Sequence, residues 1–339
     1  MRHQTCSLLV VAASFAAAFA MSDCRAQPMP EQPDMTIDAG TRADVIRGAL
    51  EAIQEGYVFP DVAAKTAEFV RQREAAGQYA TLDSAKAFAR QLTDDLQSVT
   101  RDKHLRVMYR SLELQRRQGA LGGAPMLPNG IATPRALNYG FEKAERLEGN
   151  VGLVEIRSFS AEGPEMEQAA SAAMTFVANT DALIIDLRRN GGGRPEMVAL
   201  VTSYLFDGRT HLNDLYWRKG DRTESFFTRD EVAGKRFGGK KPVYVLVGPR
   251  TFSGAEEFAY NLKALGRATI VGETTGGGAN PGGMRPLGPS FAVFVPTGRA
   301  INPVTKTNWE GLGVEPDVKV PAGEALEKAV SLARERLAR

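Results

Sequence analysis

Hydrophobic positions change their period part-way along the chain. Between about residues 38 and 100 they recur at helical spacing: Val45/Ile46, Ala49/Leu50 and Ile53, then Val62, Phe69 and Val70, then Phe88, Leu92, Leu96 and Val99. Breakers fall between the runs. Gly56 closes the first, Pro60 and Asp61 open the second, Gly77 closes it, and Asp83 or Ser84 can cap the third. In "KHLRVMYR" the period drops to two, with Leu105, Val107 and Tyr109 alternating with polar neighbours as in a half-buried strand. From Asn138 onward the texture differs again. Short continuous apolar runs, "VGLVEI" (151–156), "ALIIDL" (182–187), "VYVLVG" (243–248) and "ATIVG" (268–272), alternate with helical patterns near 162–178, from Pro195, and from Gly254 to Leu265. Strands apolar on both faces and separated by helices belong to a largely parallel sheet covered on both sides. "FAVFVP" and its neighbours predict added hairpin strands, and Ala325 to Leu337 a closing amphipathic helix. The chain thus reads as an α/β protein: a helical domain over 38–110, a Gly/Pro-rich connector over 111–137, and an α/β domain over 138–339.

The first residues carry a different signal. Arg2 and His3 precede an apolar, small-residue stretch from Ser7 to Met21, and Ala18-Phe19-Ala20 supplies the small-x-small pattern of a signal-peptidase cut; a second candidate cut follows Ala26. The run is shorter than the ~20 apolar residues a membrane helix needs. Residues 1–26 are therefore expected to be a signal peptide and 27–37 a polar linker, giving a periplasmic protein with no stable membrane insertion after cleavage. Cys6 and Cys24 are the two cysteines, and both precede Ala26, so the expected folded part has neither a disulfide nor thiol chemistry. A net charge of +2 argues against a nucleic-acid partner.

Ligands of open α/β sheets bind beyond the C-terminal ends of the strands, and two strand-to-helix turns are unusual here. "DLRRNGGGRPE" (186–196) places three glycines before a helix start at Pro195, so backbone N–H groups can approach something closely. It lacks the Gly-Lys-Ser/Thr of a phosphate loop and the GxGxxG of a dinucleotide site. "GPRTFSGAEEF" places Ser253 at the next helix start, with Glu256 three residues on. That spacing is a capping box. It also puts a hydroxyl beside unpaired N–H groups at the positive end of a helix dipole, where acyl transfer benefits. A serine nucleophile needs a base, and after loss of His3 the histidines are His104 and His211. His211 sits in a polar, turn-rich segment that reads as structural; His104 opens the strand after the helical layer and, on the residues alone, reads first as an ordinary polar-face histidine.

The runs "ALIIDLRRNGGG" and "VYVLVGPRTFSGAEEFAYNLKALGRATIVGETTGGGANPGG" and the ending "NWEGLGVEPDV" resemble the tail-specific (C-terminal processing) serine peptidase family over most of residues 138–320. "EGYVFPDVAAK" and "DKHL" resemble the subgroup that includes interphotoreceptor retinoid-binding protein repeats, and the peptidase core of tricorn is a more distant likeness. The resemblance implies a crotonase-like (ClpP-like) mixed, largely parallel sheet flanked by helices, with an N-terminal helical-bundle layer. It implies a cofactor-independent, metal-free enzyme acting on peptides or proteins. In the Ser/Lys branch a lysine follows the nucleophile by 25 positions, but residue 278 here is glycine. The tricorn-like branch uses Ser, His and Glu, which correspond to Ser253, His104 and Glu310; Lys103 stands where tricorn has an auxiliary serine. By the same resemblance Gly254, with Gly192 or Gly193, supplies the oxyanion hole. Glu256 and Asp317 are read as structural, and Asp186 and Arg188 as a local pair. The stretch from Tyr109 to Gly149 is too short for the PDZ module many relatives carry. The alternative is a catalytically silent binding protein of the same fold, holding an apolar or peptide ligand.

Overall fold

A computed structural model of the chain describes residues 32–110 and 133–339; the expected signal peptide and most of the connector lie outside the described residues. From Pro33 onward the chain is one compact unit. Three helices come first: α1 (Ala39–Gly56), α2 (Pro60–Ala75) and α3 (Ala85–Thr100). The side chains of Asp38 and Ser84 cap α1 and α3 by accepting from Thr41 and Ala87, and Pro60 begins α2. Strand β1 (Arg106–Tyr109) follows.

The second half alternates strands and helices: β2 (Phe141–Leu147), β3 (Val151–Ile156), α4 (Pro164–Val177), β4 (Ala182–Asp186), α5 (Pro195–Ser203), β5 (His211–Trp217), β6 (Arg222–Phe227), β7 (Val243–Val247), α6 (Gly254–Ala264) and β8 (Thr269–Gly272). It closes with β9 (Gly282–Pro286), β10 (Phe291–Pro296), β11 (Gly298–Ile301), β12 (Val318–Lys319) and α7 (Ala325–Leu337). The main sheet has the order β12-β8-β7-β4-β3-β2, parallel throughout except for antiparallel β2 at its edge. This is the largely parallel sheet expected from the continuous apolar runs. One face packs on α4, α5 and α6, and the other on the alanine stripe of α7, Ala325, Ala329 and Ala333.

Two small antiparallel sheets complete the unit, in the orders β1-β10-β9 and β11-β5-β6. The second corrects the reading of His211: its segment is strand β5, with Leu212, Asn213 and Leu215 buried, rather than a turn-rich surface stretch. Its polar residues hid an inward face of alternating burial. The helical layer shares one core with β1 and β10, where Phe88 meets Tyr79 and Phe291 edge to face. Through that core the N-terminal helices fix the position of β10, and β10 carries a wall of the site described next. Among the described residues no helix is long and apolar enough to cross a membrane.

Candidate active site

The turn after β4 and the turn after β7 are knitted together. The Thr251 hydroxyl donates to the Leu187 carbonyl and accepts from the Gly248 N–H, while the Phe252 N–H donates to the Asn190 carbonyl. Asn190 also shapes the glycine turn with its side chain, donating to the Ile156 carbonyl and accepting the Gly192 N–H. The turns touch so closely that a Cβ at Gly192 would lie 2.7 Å from the Gly254 nitrogen and 2.7 Å from the Ser253 Cβ. Ser253 itself sits at φ 53° and ψ −123°. That is a strained conformation for a residue with a side chain, of the kind a sharp strand-to-helix elbow imposes, at a cost on the order of 1–3 kcal/mol.

Glu256 holds the elbow in place. Its carboxylate accepts from the N–H groups of Ser253, Gly277 and Gly278 and from the Thr275 hydroxyl, which makes it both the cap partner foreseen and a tie to the loop after β8. Of the candidate donors, the Gly192 N–H is spent on Asn190, whereas the N–H groups of Gly193 and Gly254 have no protein acceptor among the described residues. The structure thus leaves Gly193 and Gly254, and removes Gly192 from the candidate oxyanion donors. Asp186 and Arg188 pair at 2.6 Å, and Asp317 accepts the Ile270 N–H and pairs with Lys263. His211 bonds Asp214 at 2.8 Å and stacks on Phe227.

His104 and Ser253, 149 positions apart in sequence, line one cleft of about 430 Å³. The imidazole is buried, 6% exposed, between Phe252 (ring centroids 4.6 Å apart) and Phe294 of β10 (5.6 Å). No hydrogen bond joins His104 to Ser253 or to Glu310 in this conformation, and catalytic hydrogen bonds often tighten only when substrate binds. A Cβ at Gly278 would stand 2.7 Å from His104 Cε1 and 2.3 Å from the Phe252 ring. Residue 278 and His104 therefore compete for one space. The glycine at 278 makes room for the packed rings of Phe252 and His104.

Behind the imidazole lie two acids. Asp102, His104 and Glu310 each offer an atom within 4.8 Å of the others. Asp102 was not singled out from the sequence. It accepts the His104 N–H at 2.9 Å, an Asx turn legible in hindsight from Asp-x-His spacing, and also accepts from Asn280 at 2.9 Å and from the Tyr57 hydroxyl at 3.3 Å. Glu310 accepts the Ala279 N–H through Oε2, while its Oε1 and His104 Nδ1 are buried without partners. Burial, and then the charge of Asp102, push the Glu310 carboxyl up to about 8; burial, and then Arg106, push His104 down to about 3. An imidazole and two carboxylates are ligand types a divalent cation accepts, yet both Asp102 oxygens are already engaged by protein donors. Lys103 reaches the Gly276 carbonyl instead of the serine hydroxyl.

Residues 150–320 match the model of peptidase family S41. The chain belongs to peptidase family S41. Residues 40–139 match the N-terminal domain of this peptidase family in eukaryotic IRBP, leaving only 140–149 between the two matches. The S41 chain is 28% identical over 178 residues to a carboxy-terminal-processing protease of Bartonella bacilliformis, a match covering 52% of this chain and 40% of that relative's length. It superposes on a candidate peptidase from Parabacteroides merdae with a TM-score of 0.59 at 20% identity, covering 86% and 96% of the two chains. On the tricorn protease the TM-score is 0.56 at 15% identity, covering 88% of this chain and 37% of tricorn. These likenesses place the fold among S41 peptidases.

The competition at Gly278 is measurable in this S41 chain. Gly278→Ala overpacks the site and is expected to cost about 1–3 kcal/mol in denaturant unfolding. In a His104→Ala background the penalty shrinks, because Phe252 can turn into the vacated space; equal penalties in both backgrounds would contradict the shared-space reading.

Proposed function

We propose that this S41 chain is an exported serine endopeptidase that hydrolyses peptides or unfolded, tail-exposed proteins through Ser253, His104 and Glu310. The observation that carries the reading is the convergence of His104 and Ser253 on one cleft lined by Gly193, with Gly254 in the cavity that adjoins it, both residues having unspent N–H groups. Ser253 Oγ attacks the peptide carbonyl as His104 takes its proton, and the tetrahedral oxyanion forms beside the N–H groups of Gly193 and Gly254. His104 then donates that proton to the leaving amine, leaving an acyl-enzyme that water hydrolyses by the same steps. Each oxyanion donor contributes on the order of 3 kcal/mol and general-base help roughly 10²–10⁴ in rate. Glu310 offers its unpartnered Oε1 to the imidazolium that forms transiently. The leader expected over residues 1–26 supports export.

A fluorophosphonate probe tests the nucleophile. Wild type is expected to be labelled on Ser253, with labelling lost in Ser253→Ala and slowed at least 100-fold in His104→Ala. Equal peptide hydrolysis by wild type and Ser253→Ala would sink the mechanism, and absence of both labelling and turnover would favour a silent binding protein.

The acids set the pH dependence. His104, held near 3, is already the neutral base at any working pH, so the acid limb belongs to the Asp102/Glu310 pair. The groups around it are Tyr57 and Glu256 as well as Arg106 beside the imidazole. Because Glu310 helps only as the carboxylate, kcat/KM is expected to rise with pH toward about 8 and then level. In Glu310→Gln that limb disappears and the plateau falls roughly 10²–10⁴-fold. A limb retained in Glu310→Gln would assign it elsewhere.

A further inference from the structure

Glu257 is a buried acid near Ser253 to which the mechanism gives no task. It lies in the first turn of α6, its N–H donating to the Ser253 carbonyl, and its side chain is 6% exposed. Burial pushes its carboxyl up to about 8, against the opposing pull of the Asn213 amide beside it, and no cation compensates it. Asn213 is wholly buried on β5, its amide standing against the Glu257 carboxyl. A buried carboxyl with one amide neighbour and no cation keeps polar capacity that a ligand hydroxyl can use.

Glu257 faces a place where a ligand would be, with Asn213 behind it. Glu257 lines a small cavity together with Ser253 and with Gly193 and Gly254, the residues whose N–H groups are free. Apolar side chains, Leu215, Ala300 and Trp309, form its walls, and the Trp309 indole is fixed by donating to the Gly278 carbonyl at 2.8 Å. The cavity measures about 30 Å³. One water needs roughly 10–15 Å³ on this measure, so the space takes two or three heavy atoms. It adjoins the larger cleft, and its narrow part fits the substituents on the Cβ of threonine or serine better than a leucine or lysine side chain.

We propose that this cavity is the S1 subsite, taking the side chain of the residue whose carbonyl Ser253 attacks, and that Glu257, backed by Asn213, makes it select a small hydroxyl-bearing residue. The inference rests on the peptidase reading above. Sites that hydrogen-bond a substrate hydroxyl reject the analogue lacking it, because their own polar groups are then left unpaired. Threonine and valine differ by that hydroxyl alone in nearly the same volume, so they separate polar recognition from size.

A peptide series varied only at P1 (Thr, Val, Ser, Ala, Leu, Lys) tests the assignment on the full chain. Wild type is expected to cleave after Thr at least tenfold better in kcat/KM than after Val, and after Ser better than after Ala, with Leu and Lys poorest. In Glu257→Met the Thr/Val ratio falls to about one. Should Glu257→Met fail to fold, Glu257→Gln carries the test: its ratio falls at least threefold. A wild-type Thr/Val ratio near one, or a ratio unchanged in the Glu257 variants, overturns the pocket assignment and leaves the peptidase reading intact. No cleavage of any peptide together with no phosphonate labelling overturns both.

Discussion

The seating of one imidazole organises the candidate site. His104 occupies the space above Gly278 and is gripped by Phe252 from the nucleophile's own turn and by Phe294 from β10. Each wall has a structural debt elsewhere. Phe252 is held by the Asn190 carbonyl, and β10 by its pairing with β1 and by the helical core behind it. The N-terminal helices are therefore part of how a histidine from outside the main sheet reaches a serine in the turn after a central strand. Glycine at position 278 completes the arrangement, since a Cβ there would press on Phe252 and His104 together.

Electrostatics sharpens the same picture. A buried imidazole with an unpartnered Nδ1 stands against a buried carboxyl with an unpartnered Oε1, and a second acid, Asp102, sits within reach of both. In a dry site two carboxyls cannot both ionise cheaply, so their protons are held to unusually high pH. A proton arriving on His104 changes that balance, since an imidazolium favours the carboxylate beside it. The resting pair is thus poised to gain stabilisation only when charge develops, which is where binding energy accelerates a reaction.

Much of the fold was legible because periodicity reports burial directly. Continuous apolar runs such as Ala182–Asp186 became central strands, and the helical triplets of the N-terminal layer became α1 to α3. Ser253 and the glycine turn were legible because both follow such strands. What was not legible depends on tertiary placement. Strand β5 was missed because its polar residues, Asn213 and Asp214, disguise a face that packs inward. Asp102, Asn190 and Glu257 carry no motif of their own, and their importance comes from whom they meet. The choice of Gly193 over Gly192 turned on a single side-chain bond from Asn190 that no spacing announces.

The central claim, that His104 is the charged partner of Glu310 when Ser253 has reacted, is tested most directly by proton NMR of the phosphonylated protein. The account predicts a far-downfield imidazolium N–H resonance in the wild-type adduct that disappears in His104→Ala and loses its downfield shift in Glu310→Gln. A phosphonylated wild type without that resonance, or one whose resonance is unmoved in Glu310→Gln, would contradict it.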